Sequence, residues 1–237
     1  ALLDQAVAAT APESIYRTRI DAVKREFEVG AGRLIRVQSV GVQHMEVPLI
    51  ESFADFDAKA PLLFCGRDGE QREPATWLFA GYDRKYLYFE FLCYEPEMNQ
   101  LKATDPGNRE DIWMDDCVEI FLYPDESDRK APCYQLIVNS TGLVYDCRNL
   151  ALNVTDPAWK SNAEVEVKKE ENRWIVSVKI PFASIGISDP FFTGDLAGNF
   201  YRSRTLGGPR IVSCWTPTGD MYNFSPDKFG IITLEKQ

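Results

Sequence analysis

One short segment places an aromatic ring and a carboxylate where both could project from the same side of a β-strand. Trp113 precedes the apolar segment 117–122, and Glu119 lies within that segment. Because side chains alternate between the two faces of a strand, Val118, Ile120 and Leu122 point one way and Glu119 points the other. A flat indole beside a carboxylate suits a sugar, which offers an apolar ring face and a rim of hydroxyl groups. The segment indicates either a saccharide site or an ordinary sheet strand with a tryptophan at its rim.

A second group of rings lies in a loop near the end of the chain. Tyr222 and Phe224 flank Asn223 in the segment 219–226, just before the last predicted strand. Two rings on facing loops can hold a pyranose between them, and each stacked ring contributes on the order of 1 kcal/mol. We therefore expect Tyr222 or Phe224 to form a second wall of the site. The remaining tryptophans considered are expected to pack in the core: Trp77, Trp174 and Trp215.

Carboxylates near Trp113 also suggest a hydrolytic reading, in which Asp115, Asp116 and Glu119 act as paired acids and bases. The geometry of a strand opposes it, since Asp116 and Glu119 have opposite parity. Asp115 and Glu119 share a face but lie about 13 Å apart along an extended chain, too far for a glycosidase pair. A serine or cysteine nucleophile would need a base, and His44 is the single histidine of the sequence. We therefore predict that the chain is not an enzyme and assign no catalytic residue, keeping glycoside turnover dependent on Glu119 as the least favoured hypothesis.

Composition excludes several classes of function. The 237 residues carry a formal net charge of −10, and an acidic surface repels phosphate backbones, so we expect no nucleic-acid partner. The sequence has no apolar run near the roughly 20 residues that a membrane helix needs, so we expect no membrane span. None of the six cysteines is spaced C-x-x-C with another, which argues against a zinc site. Most of them are expected to be free thiols.

The first forty residues differ from the rest in their periodicity. A capping box at 10–13 precedes apolar residues that recur at four- and three-residue steps, namely Tyr16, Ile20, Val23 and Phe27. This spacing predicts an amphipathic helix. We therefore predict that residues 1–40 form a helical extension, or the tail of a preceding domain.

Residues 41–237 show the alternation and the turn residues of short strands. Examples are the segments 86–91, 134–139 and 174–180, where apolar and polar side chains alternate. About a dozen strands at close spacing, without helical segments between them, predict an all-β fold. We expect an antiparallel β-sandwich of the jelly-roll-like kind, with a β-barrel as the competing architecture.

The strand segments, taken in order, resemble family 9 carbohydrate-binding modules. The resemblance extends over about 190 residues, from near Pro48 to the C-terminus. It is carried by segments whose order and spacing fit together: 80–83, 86–88, 113–122, 134–139 followed by Gly142, 180–182, 198–202 and 226–230.

The resemblance implies a β-sandwich that binds oligo- or polysaccharides without catalysis, beside a glycoside-active domain. It implies that Trp113 is one of two sandwiching tryptophans and that Glu119 accepts hydrogen bonds from sugar hydroxyls. Two positions depart from the family pattern: Asn223 stands where the second tryptophan is expected, and Ile137 replaces an expected arginine. A structural Ca²⁺ is usual in the family, although the sequence does not identify its ligands.

The same resemblance also predicts the kind of larger protein that contains the chain and where that protein is located. The segment 1–40 is similar to the closing helices that precede such modules in larger glycan-degrading proteins, so the chain is expected to be the C-terminal part of such a protein. It also implies a secreted, periplasmic or cell-surface location. The departures at Asn223 and Ile137 motivate an alternative function: a structural accessory domain that packs on a glycoside-active catalytic domain without binding sugar itself.

Overall fold

The computed structural model describes residues 41–104, 109–130, 132–151, 154–191, 194–206, 208–220 and 222–236. In these residues fourteen strands form two sheets that pack face to face, which confirms the predicted all-β sandwich. The helix predicted within 1–40 lies outside the described residues. The strands are β1 (His44–Val47), β2 (Leu62–Leu63), β3 (Cys65–Gly66), β4 (Thr76–Tyr82), β5 (Tyr86–Tyr94), β6 (Cys117–Tyr123), β7 (Cys133–Asn139), β8 (Val144–Ala151), β9 (Val154–Asp156), β10 (Glu164–Lys169), β11 (Arg173–Pro181), β12 (Leu196–Arg204), β13 (Ile211–Cys214) and β14 (Gly230–Leu234).

Short 3₁₀ helices lie between several strands, at Phe53–Ala58, Met98–Gln100, Arg109–Met114, Phe182–Ile185 and Pro226–Lys228. The sequence pattern did not indicate them, because one or two helical turns carry too few residues to show a periodicity. Trp113 therefore lies on a 3₁₀ turn just before β6.

The larger sheet has the strand order β1-β14-β12-β6-β7-β8-β9, and the end of β12 also pairs with β13, which pairs with β3. The smaller sheet has the order β10-β11-β5-β4-β2. Within the described strands the pairings are antiparallel, apart from the parallel pair β1 and β14. The central strand β6 is hydrogen-bonded along its length to β12 and β7, so it has neighbours on both edges.

The core between the sheets follows from strict alternation on the facing strands. On β11, Trp174, Val176, Val178 and Ile180 are buried, and the residues between them are only partly buried. Val118, Ile120 and Leu122 of β6 contribute to the same core from the opposite sheet, as their parity predicted. Of the tryptophans expected in the core, Trp174 and Trp215 are buried, whereas the half-buried Trp77 packs edge-on against Tyr94 on the smaller sheet, with ring centroids 5.1 Å apart.

A buried ion pair connects the two sheets. The Arg202 guanidinium on β12 donates to the Glu95 carboxylate at 3.1 Å and to the Tyr94 carbonyl at 2.8 Å, both at the end of β5. Arg204 donates to the same carboxylate at 2.7 Å. Arg202 and Glu95 are almost fully inaccessible to solvent, and the charge of Arg202 depends on Glu95 for its compensation.

Candidate functional site

The outer face of the larger sheet carries two apolar patches, one toward each end of β6. Phe121 and Tyr123 pack with Phe229 and neighbouring residues at one end, and Cys117 packs with Ile112 and Ile137 at the other. Every residue of β6 is buried as a result, although only one of its faces belongs to the core between the sheets. Glu119 lies between the two patches and is the one acidic residue of β6.

A cavity of about 520 Å³ opens over Glu119 on this outer face. Its size is within the range of about 300–1,000 Å³ that is usual for small-molecule sites. All five residues predicted for the site line it, and two of these are exposed rings: Trp113 is 45% exposed and Tyr222 is 59% exposed. The predicted residues Glu119, Asn223 and Phe224 complete this set. The lining residues that were not predicted are Arg67, Phe121, Gln135, Ile137, Tyr145, Cys147, Asn149, Thr155 and Arg210.

The Glu119 carboxylate forms the floor of the cavity and is held by two amide donors. Gln135 on β7 donates its Nε2–H to Oε1 at 2.5 Å, and the Asn223 side-chain amide donates to Oε2. Burial raises the pKa of Glu119, and this effect outweighs the opposing influence of the Asn223 and Gln135 hydrogen bonds and of the positive charges of Arg210 and Arg67. Because each carboxylate oxygen can accept two hydrogen bonds, acceptor capacity remains for a ligand hydroxyl.

Two arginines border the Glu119 carboxylate on the cavity wall. Arg67, in the turn after β3, donates from Nη2 to the Oδ1 of Asn223, so the Asn223 amide bridges the guanidinium and the carboxylate. Arg210, just before β13, donates from Nε to the Ser203 hydroxyl at 2.9 Å, and its Cζ lies 5.6 Å from the centroid of the Trp113 ring. This distance is within the range of a cation–π contact, which restrains the exposed indole.

The loop that carries Tyr222, Asn223 and Phe224 is fixed by the strand beside β6. Tyr201 on β12 pairs in register with Glu119, and its hydroxyl donates to the Asn223 carbonyl at 2.7 Å. Phe224 packs on Phe121 with ring centroids 5.9 Å apart, which leaves it partly buried. Tyr222 is therefore the exposed ring of this loop, and Phe224 serves mainly as its anchor.

Buried carboxylates hold the turn that carries Trp113. Asp115 accepts hydrogen bonds from the Thr104 backbone and hydroxyl at 2.7 and 2.6 Å and from the Asn139 amide at 2.9 Å. Asp116 accepts from the backbone of Lys102 and of Thr205. Neither carboxylate lines the cavity over Glu119, so the three acidic residues considered for hydrolysis are not brought together.

A larger cavity, of about 1,010 Å³, lies elsewhere, beside Ile50, Asp83 and Phe191. Among its described lining residues, the aromatic ring available is Phe191, and the Arg84 guanidinium already lies 5.4 Å from that ring's centroid. The cavity over Glu119 is smaller but combines exposed rings with oriented amides. It is therefore the better candidate for a polar ligand with an apolar face.

The described residues offer no metal site built from side chains of the usual ligand types. Within the ranges that the structure describes, no three or more His, Cys, Asp or Glu side chains are grouped so that they could hold a metal ion. The structural Ca²⁺ implied by the family resemblance stays a prediction. All six cysteines are free, as expected for most of them.

Sequence reasoning missed several polar residues of the cavity. Strand alternation could have identified Gln135, because Gln135 and Ile137 lie on the same face of β7 and Ile137 pairs with Glu119. Arg67 and Arg210 lie outside the strands, where alternation does not predict which way a side chain points. They approach the site because β3 and β13 pair with each other. The arginine that the family pattern places at Ile137 is absent there, but two others line the same cavity.

Comparison with known families decides the assignment of this fold. A family model described as "Carbohydrate family 9 binding domain-like" matches residues 67–237, which is more than half of the chain. The chain belongs to this family. Its members are non-catalytic carbohydrate-binding modules, which confirms the expectation that the chain is not an enzyme. Comparison with curated proteins gives no match.

Solved structures share the fold at low sequence identity. A family 9 carbohydrate-binding module from Caldicellulosiruptor kristjanssonii, solved with cellotriose, is 15% identical with a TM-score of 0.60, covering 82% of this chain and 95% of that one. The glucose complex of a family 9 module from the same organism gives the same TM-score and identity, covering 82% of this chain and 97% of that one. A structure from Bacteroides uniformis ATCC 8492, described as that of a carbohydrate-binding protein, reaches a TM-score of 0.67 at 15% identity, covering 82% of this chain and all of that one.

Proposed function

We propose that the chain binds a saccharide in the cavity over Glu119, without catalysis. The observation that carries the proposal is the opening of an exposed indole, Trp113, and a buried carboxylate, Glu119, onto the same cavity. The sugar ring would stack on Trp113, and Glu119 would accept hydrogen bonds from its hydroxyl groups. Tyr222 would supply the second ring, and Asn223 and Phe224 would complete that wall.

The energetics of the cavity are consistent with a sugar as ligand. Stacking on an exposed ring removes apolar surface of both partners from water and needs no conformational change of a buried core. Gln135 and Asn223 fix the Glu119 carboxylate before a ligand arrives, so little side-chain entropy is lost on binding. The cellotriose and glucose complexes of family 9 modules support glucose and its neutral oligosaccharides as the first ligands to test.

One observation favours a second candidate, a structural accessory domain that packs on a glycoside-active catalytic domain. Asn223 occupies the position where the family pattern has a second tryptophan, and its side chain is already engaged with Glu119 and Arg67. In this case Trp113 and Tyr222 would contact a protein surface instead of a sugar. The linked catalytic domain and the location outside the cytoplasm both stay predictions. Among the described helices none is long and apolar enough to cross a membrane.

Replacing Trp113 by alanine tests the proposal. We expect the variant to lose affinity about tenfold or more for any glycan that the parent binds, because the stacking surface is removed. The thermal midpoint should change by less than about 3 °C, since the residue is exposed and substitutions of exposed residues usually cost little. Isothermal titration calorimetry against a glycan panel measures the first effect and calorimetric unfolding measures the second.

Trp77→Ala is the matched control, because Trp77 is half-buried on the smaller sheet and lies outside the cavity. It should leave glycan affinity unchanged while lowering the thermal midpoint through the lost packing on Tyr94. Equal binding by the parent and by Trp113→Ala would rule out stacking on Trp113.

A further inference from the structure

The cavity over Glu119 has an excess of positive charge in a chain that is strongly acidic. Its lining contains Arg67 and Arg210 against the single carboxylate of Glu119. The whole chain has 36 acidic residues and 26 lysines and arginines, so an average patch of its surface would be negative. A local reversal of sign at a binding cavity raises the local concentration of anions and favours their binding.

Neither arginine of the cavity forms a direct ion pair with a carboxylate within the described part of the chain, although the charge of nearby Glu119 partly offsets the lowering of the Arg67 pKa by burial. Arg67 gives one hydrogen bond to the Asn223 amide, and its Nε is buried without a hydrogen-bond partner. Arg210 donates to the neutral Ser203 hydroxyl and lies against the Trp113 ring. Other arginines behave differently, since Arg72, Arg148 and Arg173 each form an ion pair.

Holding two like charges in a partly buried place has an energetic cost. Burial lowers the pKa of Arg67, and the positive charge of Arg210 lowers it further, which indicates that the two guanidinium groups are close enough to repel each other. A carboxylate placed between them would offset that repulsion. The planar fork of a guanidinium matches the geometry of a carboxylate better than that of a single hydroxyl.

We infer that the cavity prefers an acidic saccharide, a uronic acid residue whose carboxylate is bound by Arg67 and Arg210. The inference rests on the proposed function and names the class of sugar. A hexuronate carries its carboxylate on one side of the ring and its C2 and C3 hydroxyls on the other. The cavity has the matching arrangement, with the Arg67 guanidinium on one side of Asn223 and the Glu119 acceptor on the other, and with Arg210 close enough to Arg67 for their charges to interact.

Matched pairs of methyl glycosides test the inference, each pair differing only at C6. The pairs are methyl glucuronide with methyl glucoside and methyl galacturonide with methyl galactoside, titrated at pH 7 while ¹H–¹⁵N spectra are recorded. The acidic member of at least one pair should bind about tenfold or more tightly, because a charge-assisted hydrogen bond is stronger than a neutral one. The preference should also shrink as salt is raised from 0.02 to about 0.5 M, since salt screens charges that are partly exposed.

Arg210→Gln should reduce the acidic-to-neutral affinity ratio to near one, and Arg67→Gln should reduce it as well. The ratio is the informative quantity, because it is insensitive to a general loss of affinity if the Trp113 ring shifts. Arg84→Gln makes the same change in net charge at the larger cavity and should leave the ratio unchanged.

The outcomes separate this inference from the proposed function. Neutral and acidic members that bind equally well would overturn the acidic preference and leave saccharide binding intact. A preference that persists in Arg210→Gln and Arg67→Gln would overturn the assignment of these two residues. If no member of either pair and no glycan of the wider panel binds, the proposed function fails and the inference fails with it.

Discussion

At the scale of single residues, Glu119 combines two properties that rarely occur together. It is 6% exposed, yet it faces an open cavity instead of the core between the sheets. Gln135 and Asn223 supply the donors that make a buried carboxylate tolerable. We interpret Glu119 as a carboxylate that is held in place for a ligand and that lowers the stability of the fold when it is ionised.

The pH dependence of the free energy of unfolding should reveal this loss of stability. Burial raises the pKa of folded Glu119, so its contribution to stability is fully present below the pKa of the unfolded chain and is lost as pH rises through the folded-state pKa. Glu119→Gln does not titrate. The stability of the parent relative to this variant should therefore fall as pH rises above the ordinary glutamate pKa of about 4.3. Urea unfolding at several pH values measures it, and a relative stability that is constant or increases with pH would contradict the account.

At the scale of secondary-structure elements, the site depends on turns that are tied to the sandwich by buried polar groups. Asp115 and Asp116 hold the turn of Trp113, and Tyr201 holds the loop of Asn223. Strand β12, which bears Tyr201, is in turn fixed across the sandwich by Arg202 and Glu95. The position of the exposed rings is thus a consequence of packing that lies beneath them.

Removing one member of the buried pair tests this dependence. Glu95→Gln should lower the free energy of unfolding by about 3–5 kcal/mol, because it leaves the inaccessible Arg202 without a compensating charge. Glu97→Gln is the matched control, since Glu97 pairs with Arg204 at an exposed position and its loss should cost at most about 1 kcal/mol. Chemical unfolding compares the two variants, and equal losses would refute the special role of Glu95.

Alternation along strands predicted much of this element-level arrangement. It assigned Val118, Ile120 and Leu122 to the core and Glu119 to the opposite face, and the structure agrees. It could not reveal that Asn223 reaches Glu119 across 104 residues or that Arg67 reaches Asn223 across 156. Those contacts follow from the pairing of β3 with β13 and of β13 with β12, and sequence periodicity carries no information on strand order.

At the scale of the whole molecule, two uses of the same surface compete. A saccharide and a protein partner would both cover Trp113 and Tyr222, whose rings are exposed. The two uses differ in what happens to Trp113 when the chain is part of a longer protein. A module that binds sugar keeps the indole open, whereas an accessory domain that packs on a neighbour covers it.

Quenching of tryptophan fluorescence by acrylamide distinguishes these uses. The emission of Trp113 is obtained as the difference between the parent and Trp113→Phe, which removes the contributions of Trp77, Trp159, Trp174 and Trp215. We expect this difference to be quenched to the same extent in the chain alone and in the longer protein that the family resemblance predicts, because the exposed indole stays accessible. Strong protection in the longer protein would favour the accessory domain.

The location of the saccharide site is tested most directly by following side-chain signals in ¹H–¹⁵N spectra during titration with a glycan that binds. The account predicts that the indole N–H of Trp113 and the amide NH₂ groups of Gln135 and Asn223 shift together with one affinity. The indole signals of Trp77 and Trp159, which do not line the cavity, should stay in place. Shifts confined to the surroundings of Phe191, or a bound glycan that leaves Trp113, Gln135 and Asn223 unmoved, would contradict the account.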